Sequence, residues 1–395
     1  LISVPLAVLI SPKESLAIGM LVALIVDVWL VCRVAWRMDE AQTQQFFSVL
    51  REGPDHLVER TVGTNLLGFG IISLCVSDLG PHPSVLPEQL RVLVFFFSVS
   101  PLLAQDKLTV LLDWFVNPDH APLIIAEEKG FFEAAKLKVE LIAPADPSLP
   151  PKLVAAGKAD LAVSYQPQLH IQVDEGLPLI RIGTLVSTPL NSLVVLREGP
   201  IKKIADLKGK KVGFSVGGFE DALLQSMLVK HGLSLADVEL INVNFSLSPA
   251  LIAGKVDAVI GAFRNFELNQ MDIIKRPGRA FYPEEEGVPA YDELILVAKK
   301  DMANDVRYRR FLDAIGHAVT FLINHPDDAW KLFIKNNQKL DDELNRRAWR
   351  DTLPRLALRP SAFDRVRYQR FAAFLKKQGL IKKILPVADY AVELP

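Results

Sequence analysis

Four short segments of the chain combine acidic, amide and aromatic side chains, a mixture suited to binding a flat, nitrogen-rich molecule. The aromatic side chains offer apolar faces on which a planar ring can stack, and the carboxylate and amide groups can bond ring nitrogens and exocyclic amines. The residues that we expect to contact a ligand there are Asp113, Trp114, Asn117, His120, Tyr165, Gln166, Phe219, Glu220, Phe263, Arg264, Asn265 and Glu267. One aromatic residue alone is as easily explained by core packing, but the same mixture in four segments favours a site.

Other kinds of chemistry are poorly represented in these segments. A phosphate or sulfonate ligand calls for several cations, and Arg264 is the only arginine or lysine there. Gly217 and Gly218 are not followed by the Gly-Lys-Ser/Thr ending of a phosphate loop, and no spacing of histidines and carboxylates is typical of a metal site. His120 is either a ligand contact, a general base or a packing residue, and we interpret His170 as structural. We therefore expect no catalytic residue, no metal and no cofactor.

Composition excludes several classes of function. The chain has 395 residues and a formal net charge of −1, so no basic surface indicates a nucleic-acid partner. Its two cysteines, Cys32 and Cys75, precede residue 106. Disulfides, thiolate metal sites and cysteine nucleophiles are therefore excluded from the rest of the chain.

The elements that position the four segments are indicated by an internal repeat. Residues 153–163 and 250–260 each contain an apolar run, then Ala-Gly-Lys, then an Asp and a second apolar run. The glycine of each copy can end a helix in the left-handed conformation, and the run after the Asp suits a strand buried in a parallel sheet. The repeat predicts two similar α/β lobes and a cleft between them.

The predicted organisation is an α/β, bilobal chain with two parallel sheets, a hinge and a helical C-terminal tail. Strands that alternate with helices indicate parallel sheets. We place the first lobe at residues ~106–195 and ~291–395 and the second at ~196–290. In open α/β sheets ligands bind beyond the carboxyl ends of the strands, where the four segments fall.

The front of the chain is markedly apolar. We interpret residues 88–105 as a signal peptide, since Arg91 precedes an apolar core, Pro101 and the small Ala104, with cleavage near Ala104 or Gln105. Residues 1–87 are then an upstream extension, from a misassigned start or a fragment. The alternative is a membrane anchor around residues 15–35, which Asp27 would make costly.

Longer motifs at these segments resemble a known family. They are Asp113-Trp114-x-x-Asn117-Pro118-Asp119-His120-Ala121-Pro122, Glu128-Lys129-Gly130-Phe131-Phe132, Ser164-Tyr165-Gln166-Pro167, Gly217-Gly218-Phe219-Glu220, Gly261-Ala262-Phe263-Arg264-Asn265 and Gly287-Val288-Pro289-x-Tyr291-Asp292-Glu293-Leu294. Together they resemble the thiamine-precursor group of periplasmic binding proteins, which is related to the fungal pyrimidine synthases. The resemblance covers residues ~106–395 and adds Tyr291 to the expected ligand-binding residues.

The resemblance implies a periplasmic-binding-protein type II fold and a periplasmic, monomeric receptor. Such a receptor captures formylaminopyrimidine or hydroxymethylpyrimidine and delivers it to an ABC transporter permease for thiamine salvage. Trp114 and Tyr165 would stack on the pyrimidine, and Asn117 and Glu220 would bond its ring nitrogen and amine.

Two alternatives follow from the same resemblance. One is a sulfonate or taurine receptor, which the shortage of cations disfavours. The other is the synthase, which needs a Schiff-base lysine and a donor histidine after the first repeat strand. Counting from Asp160, those positions hold Ser164 and Gln168, and the cysteine-rich segment of the synthases is missing. We therefore expect a binding protein and not an enzyme.

Overall fold

The computed structural model describes residues 105–394, so the expected extension at 1–87 and the signal segment up to Ala104 lie outside the described residues. The strands are β1 Asp106–Leu111, β2 Leu137–Ile142, β3 Leu161–Ser164, β4 Leu179–Val186, β5 Asn191–Leu196, β6 Lys211–Phe214, β7 Glu239–Asn242, β8 Ala258–Phe263, β9 Gly278–Phe281 and β10 Leu294–Lys299. The helices are α1 Ala121–Glu128, α2 Phe131–Ala134, α3 Pro150–Ala155, α4 Gln166–Asp174, α5 Glu220–Lys230, α6 Leu247–Ile252, α7 Glu267–Ile273, α8 Val306–Asn324, α9 Pro326–Lys335, α10 Glu343–Thr352 and α11 Arg365–Lys377.

The strands form two five-stranded sheets of the same topology, in the orders β2-β1-β3-β10-β4 and β7-β6-β8-β5-β9. The bilobal α/β prediction is confirmed, but the sheets are not wholly parallel. In each sheet the fourth strand in the order, β10 or β5, runs antiparallel to both of its neighbours. These are the strands that follow the two passages of the chain between the sheets, and a strand arriving from the other lobe need not follow a βαβ crossover.

The internal repeat forms the same joint in both lobes. Gly157 and Gly254 adopt φ values of 70° and 69°, and the amide after each glycine bonds a carbonyl five residues earlier, as in a Schellman helix end. The Asp of each copy then pairs with the neighbouring parallel strand. Asp160 Oδ2 accepts a hydrogen bond from Thr109 N at 2.8 Å, and Asp257 Oδ2 accepts one from Lys211 N at 2.9 Å. The repeated aspartates therefore join β3 to β1 and β8 to β6.

Two chain segments connect the lobes and meet at a buried carboxylate. The first runs from Val186 to Asn191, so β5 already belongs to the second sheet, slightly before the boundary expected near residue 195. The second ends at Glu293, which is fully buried. Glu293 Oε2 accepts hydrogen bonds from Leu190 N at 2.6 Å and Asn191 N at 2.9 Å. The two connections are thus tied to each other at the hinge.

The C-terminal helices pack on the first lobe, as the sequence predicted. Side chains of α8, α9, α10 and α11 share one apolar core with β1, β3, β4 and β10. Apolar side chains of the second sheet form separate cores on its two faces. Among residues 105–394, no helix combines the length and the hydropathy needed to cross a membrane.

Candidate functional site

A cavity lies between the two lobes, at the carboxyl ends of β1, β3 and β8. The space between its lining atoms amounts to about 400 Å³, a figure that includes open solvent at its mouth. Its lining residues are Asp113, Trp114, Asn117, Asp119, Tyr165, Glu220, Leu247, Gly261, Phe263, Phe266 and Glu267. Both lobes contribute, so the cavity exists only while the lobes are close together.

Aromatic rings from both lobes enclose the cavity. The ring of Tyr165 is stacked on that of Phe219, with centroids 4.7 Å apart, and the ring of Phe263 meets Tyr165 edge-on at 6.5 Å. Trp114 of the first lobe meets Phe245 of the second edge-on at 4.6 Å. Of these rings, those of Trp114, Tyr165 and Phe263 line the cavity, and a planar ligand can stack on them or meet them edge-on.

A buried network in the first lobe holds Asp113 and Tyr165 in place. Asp113 Oδ1 lies 2.9 Å from His120 Nε2, and Asp113 Oδ2 accepts a hydrogen bond from the Tyr165 hydroxyl at 2.9 Å. Asn117 N donates to His120 Nδ1 at 3.3 Å, which requires the tautomer with the proton on Nε2. Burial and the neighbouring Asp113 raise the pKa of Tyr165 well above its ordinary value, so the phenol remains a donor.

Two glutamates of the second lobe stand at the first residue of a helix. Glu220 begins α5, and its Oε2 accepts a hydrogen bond from Ser215 N at 2.7 Å; Glu267 begins α7, and its Oε2 accepts one from Phe263 N at 2.7 Å. The Glu220 carboxyl also packs directly on the backbone of Gly261, which has φ of 100°. Each carboxyl is therefore held by the loop that precedes its helix.

Asn117 and Asp119 shape the loop after β1. Asn117 Oδ1 accepts a hydrogen bond from Asp119 N at 2.8 Å, and its Nδ2 donates to Phe115 O at 3.0 Å. Asn117 thus caps the short 3₁₀ turn Pro118–His120, and part of its hydrogen-bonding capacity is already used.

The structure brings seven of the thirteen expected residues to the cavity, and six lie behind its surface. The seven are Asp113, Trp114, Asn117, Tyr165, Glu220, Phe263 and Glu267. The six are His120, Gln166, Phe219, Arg264, Asn265 and Tyr291. All six face other protein groups, and each has an identifiable structural contact instead.

The largest difference from expectation concerns Arg264. Its guanidinium pairs with Glu284, at 2.5 Å from Nη1 to Oε1, and donates to the carbonyls of Leu190 and Asn191 at the hinge. Arg264 therefore stabilises the connection between the lobes and lends no positive charge to the cavity. This outcome reflects tertiary contacts with Glu284, which the local sequence does not reveal.

The other five have similar explanations. His120 supports Asp113, and Phe219 backs Tyr165. Gln166 Oε1 accepts a hydrogen bond from Asp292 N at 2.8 Å. Asn265 bonds Asp119, and the Tyr291 ring packs edge-on against Phe371.

Four lining residues were not predicted: Asp119, Leu247, Gly261 and Phe266. Asp119 and Phe266 lie inside predicted segments. The rule that ligands bind beyond the carboxyl ends of strands predicts where their backbone lies, but it does not predict which way their side chains point. Gly261 directly follows the repeated apolar run, and a glycine there was a visible signal for close backbone approach. Leu247 opens α6, and nothing in its local sequence distinguishes it from a core residue.

The cavity is acidic. Four carboxyl groups line it, and none of its lining residues is a lysine, arginine or histidine. Burial raises the pKa of Asp119 to about 6, that of Glu267 to about 7 and that of Glu220 to about 8. Within residues 105–394 no group of three or more potential metal ligands is arranged to hold an ion. The site therefore offers hydrogen-bonding carboxyl groups rather than a counter-charge for anions.

These pKa shifts predict that the ligand-free protein loses stability as pH rises. Burial also raises the pKa of Glu293 to about 7, so Glu220, Glu267 and Glu293 all keep protons in the folded state that the unfolded chain has released. Between pH 6.5 and 8 the free energy of unfolding should fall by about 3 kcal/mol. His170, whose pKa burial lowers to about 3, opposes this trend mainly below pH 6.5 and offsets it by only about 0.4 kcal/mol between pH 6.5 and 8.

Thermal unfolding at pH 6.5 and pH 8 measures the effect. Glu220→Gln and Glu267→Gln should each flatten the dependence, because a neutral amide has no proton to lose. Glu343→Gln, on the exposed surface of α10, serves as the control and should leave it unchanged. A melting temperature that stays constant or rises over this range would contradict the predicted shifts.

Comparison with known proteins agrees with this architecture. Residues 117–329 match the family model described as NMT1/THI5 like. A Haemophilus influenzae protein named as a thiamine biosynthesis protein is 58% identical over 295 residues, which cover 74% of this chain and 94% of that protein. A formylaminopyrimidine-binding protein of Halalkalibacterium halodurans is 30% identical and covers 60% of this chain and 72% of its own length.

Two further similarities are more distant. A 4-amino-5-hydroxymethyl-2-methylpyrimidine phosphate synthase of Uromyces fabae is 28% identical and covers 62% of this chain and 75% of its own length. The solved structure of the alkanesulfonate-binding protein SsuA of Xanthomonas axonopodis pv. citri superposes with a TM-score of 0.58 at 17% identity, over 72% of this chain and 98% of that one. That structure confirms the periplasmic-binding-protein type II fold. The chain belongs to the NMT1/THI5 like family.

Proposed function

We propose that this protein is the substrate-binding protein of an ABC transporter and captures thiamine-precursor pyrimidines of the formylaminopyrimidine or hydroxymethylpyrimidine type. The observation that carries the proposal is the lining of the interlobe cavity, which combines aromatic walls with four carboxyl groups and no cation among its lining residues. An aminopyrimidine presents a flat ring and amino donors, and this lining is complementary to both. The name of the Halalkalibacterium relative supports the same ligand class.

In the binding mode that we propose, each contact uses a group that lines the cavity. The pyrimidine stacks between Trp114 and Tyr165, whose rings line the cavity. Glu220 accepts a hydrogen bond from the amino group, and Asn117 uses its remaining capacity on a ring nitrogen. Asp113 is committed to Tyr165 and His120, so its role is to orient the tyrosine. The lobes close over the ligand by rotation at the hinge.

A sulfonate or taurine ligand is disfavoured by the charges of the cavity. A sulfonate needs donors or cations around it, and Arg264, the expected cation, is paired with Glu284 at 2.5 Å. The four carboxyl groups would give the anion no counter-charge, and those that are ionised would repel it. The SsuA-type neighbour therefore supports the fold and not the ligand.

The synthase alternative is disfavoured by the residues at two positions. Ser164 and Gln168 stand where that chemistry needs a lysine and a histidine, and their side chains bond each other at 2.9 Å in the protein interior. Neither side chain lines the cavity. A binding role therefore accounts better for this site than the formation of a Schiff base.

The proposed setting is the periplasm, with export directed by the segment at 88–105. The protein acts as a monomer, and its ligand-closed form docks on a permease in the inner membrane. Sequencing the N-terminus of the mature protein tests the export step. A mature start near Gln105 is expected, and a start before residue 88 would contradict it.

A thermal-shift panel tests the ligand class. Formylaminopyrimidine and hydroxymethylpyrimidine at 100 times their dissociation constants should stabilise the protein by about 2.7 kcal/mol, a shift of roughly 5 °C for a chain of this size. Taurine, an alkanesulfonate and pyridoxal phosphate are the matched non-ligands and should give no shift. Stabilisation by a sulfonate but by neither pyrimidine would overturn the proposal.

A further inference from the structure

Three buried side chains form a hydrogen-bonded triangle across the two lobes. Asn265, in the loop after β8 of the second lobe, donates through Nδ2 to Asp119 Oδ1 at 2.7 Å and to Thr352 Oγ1 at 2.8 Å. Thr352, at the end of α10, donates its hydroxyl to the same Asp119 Oδ1 at 2.8 Å. Asp119 and Thr352 belong to the first lobe. The triangle therefore joins the lobes at the side of the cavity.

Every donor of this triangle has an acceptor, whereas the side-chain oxygen of Asn265 is buried without a hydrogen-bond partner among the described residues. Both N–H groups of Asn265 have an acceptor, and the Thr352 hydroxyl both donates and accepts. The opposite orientation of the amide would turn the Asn265 oxygen towards the Asp119 carboxylate, so the contacts themselves define the orientation. Asp119, Asn265 and Thr352 are each no more than 2% exposed, which excludes water from the three bonds.

A second bond between the lobes lies next to the triangle. Asn269, in the first turn of α7, donates through Nδ2 to Asp351 Oδ2 at 2.8 Å, at the exposed edge of the same interface. The C-terminal helix α10 is thus a bonding partner of the second lobe as well as part of the first. Rotation at the hinge that separates Asn265 from Asp119 breaks these bonds together.

We propose that Asp119, Asn265 and Thr352 form a latch that stabilises the closed arrangement of the lobes, with Asp119 connecting the latch to the bound solute. Asp119 also lines the cavity, and its bonds in the latch use Oδ1 and leave Oδ2 for a donor on the ligand. A ligand that bonds Asp119 thereby holds it in the position that Asn265 requires. Asn265 and Thr352 are positioning residues that act through Asp119, and their bonds to it do not depend on which solute the cavity takes.

Distances between spin labels on the two lobes test the latch without any ligand. In the full chain Cys32 and Cys75 are replaced by serine, and labels are placed through Lys331→Cys in the first lobe and Lys208→Cys in the second, both exposed.

Asn265→Ala and Thr352→Val should move the distance distribution towards longer values, and the double variant should add little, because the triangle acts as one unit. Thr352→Ser, which keeps the hydroxyl, should restore the distribution. Ser226→Ala is the control, since that buried hydroxyl bonds only Ala222 O within α5.

Dissociation of formylaminopyrimidine, followed by stopped flow, tests the connection to the solute. The rate should rise by at least roughly tenfold in Asn265→Ala and Thr352→Val, which is the range for lost bonds to a charged group. Unchanged label distances in both variants would overturn the latch. If the pyrimidine does not bind at all, the proposed function fails, but the ligand-free distances still decide the latch.

Discussion

Replacement of Gly261 by alanine should reduce the affinity for the pyrimidine at least about 100-fold. A Cβ built on Gly261 lies closer than 3.0 Å to all three carboxyl atoms of Glu220, so the glutamate must leave its position. Ser215 N would then lose its acceptor, and the ligand would lose the carboxyl group that we assign to its amine. Calorimetry at pH 8 measures the loss of affinity.

Gly176→Ala is a matched control for this substitution. Gly176 has φ of 98°, close to the 100° of Gly261, but a Cβ there meets nothing within 4 Å. Both variants should lose about 1–3 kcal/mol of stability through backbone strain, and only Gly261→Ala should lose affinity. Equal affinities for the two variants would show that the Glu220 carboxyl is dispensable.

Glu220→Gln should weaken binding of the pyrimidine by about 1.5–3 kcal/mol, the range for a hydrogen bond to a charged group. Burial raises the pKa of Glu220 to about 8, so the empty cavity holds this carboxyl in its protonated form at neutral pH. A ligand amine that donates to the carboxylate favours ionisation and lowers that pKa. Binding therefore releases a proton, and affinity should rise with pH up to about 8.

Calorimetry in two buffers of different ionisation enthalpy detects the proton. The wild-type protein should release it at pH 7, and Glu220→Gln should release less and show a flatter affinity profile between pH 6 and 8. Glu286→Gln removes a carboxylate of the same lobe outside the cavity, where Glu286 pairs with Lys230 and His231, and should match the wild type. Wild-type affinity in Glu220→Gln would remove this residue from the site.

The fold was predictable because its signals are local. The helix end at Gly157 and Gly254 and the Asp that follows are repeated in sequence, and the structure uses them for the same strand pairing twice. The antiparallel orientation of β5 and β10 was not predictable from such signals. It depends on where the chain passes between the lobes, and both strands are apolar runs like the strands beside which they lie.

The site was predictable at the level of loops and less so at the level of side chains. Residues of all four segments at the strand carboxyl ends line one cavity. Arg264 and His120 show where prediction from residue type fails. The Arg264 side chain pairs with Glu284, twenty residues further along the chain. The His120 side chain bonds Asp113 in the protein interior, below the loop. Asp119 is the opposite case, a residue that was not predicted although it lines the cavity. Its side chain bonds Asn265 and Thr352, which are 146 and 233 positions away in the sequence.

Glu293 limits how the two lobes can move. Two independent connections would allow one lobe to slide, twist or tilt against the other, since each could change its backbone angles separately. The bonds from Leu190 N and Asn191 N to one Glu293 carboxylate join the connections, and Arg264 holds the carbonyls of the same two residues. The two connections are therefore coupled, so a change in the backbone angles of one at the hinge must be accompanied by a change in the other or by loss of these bonds.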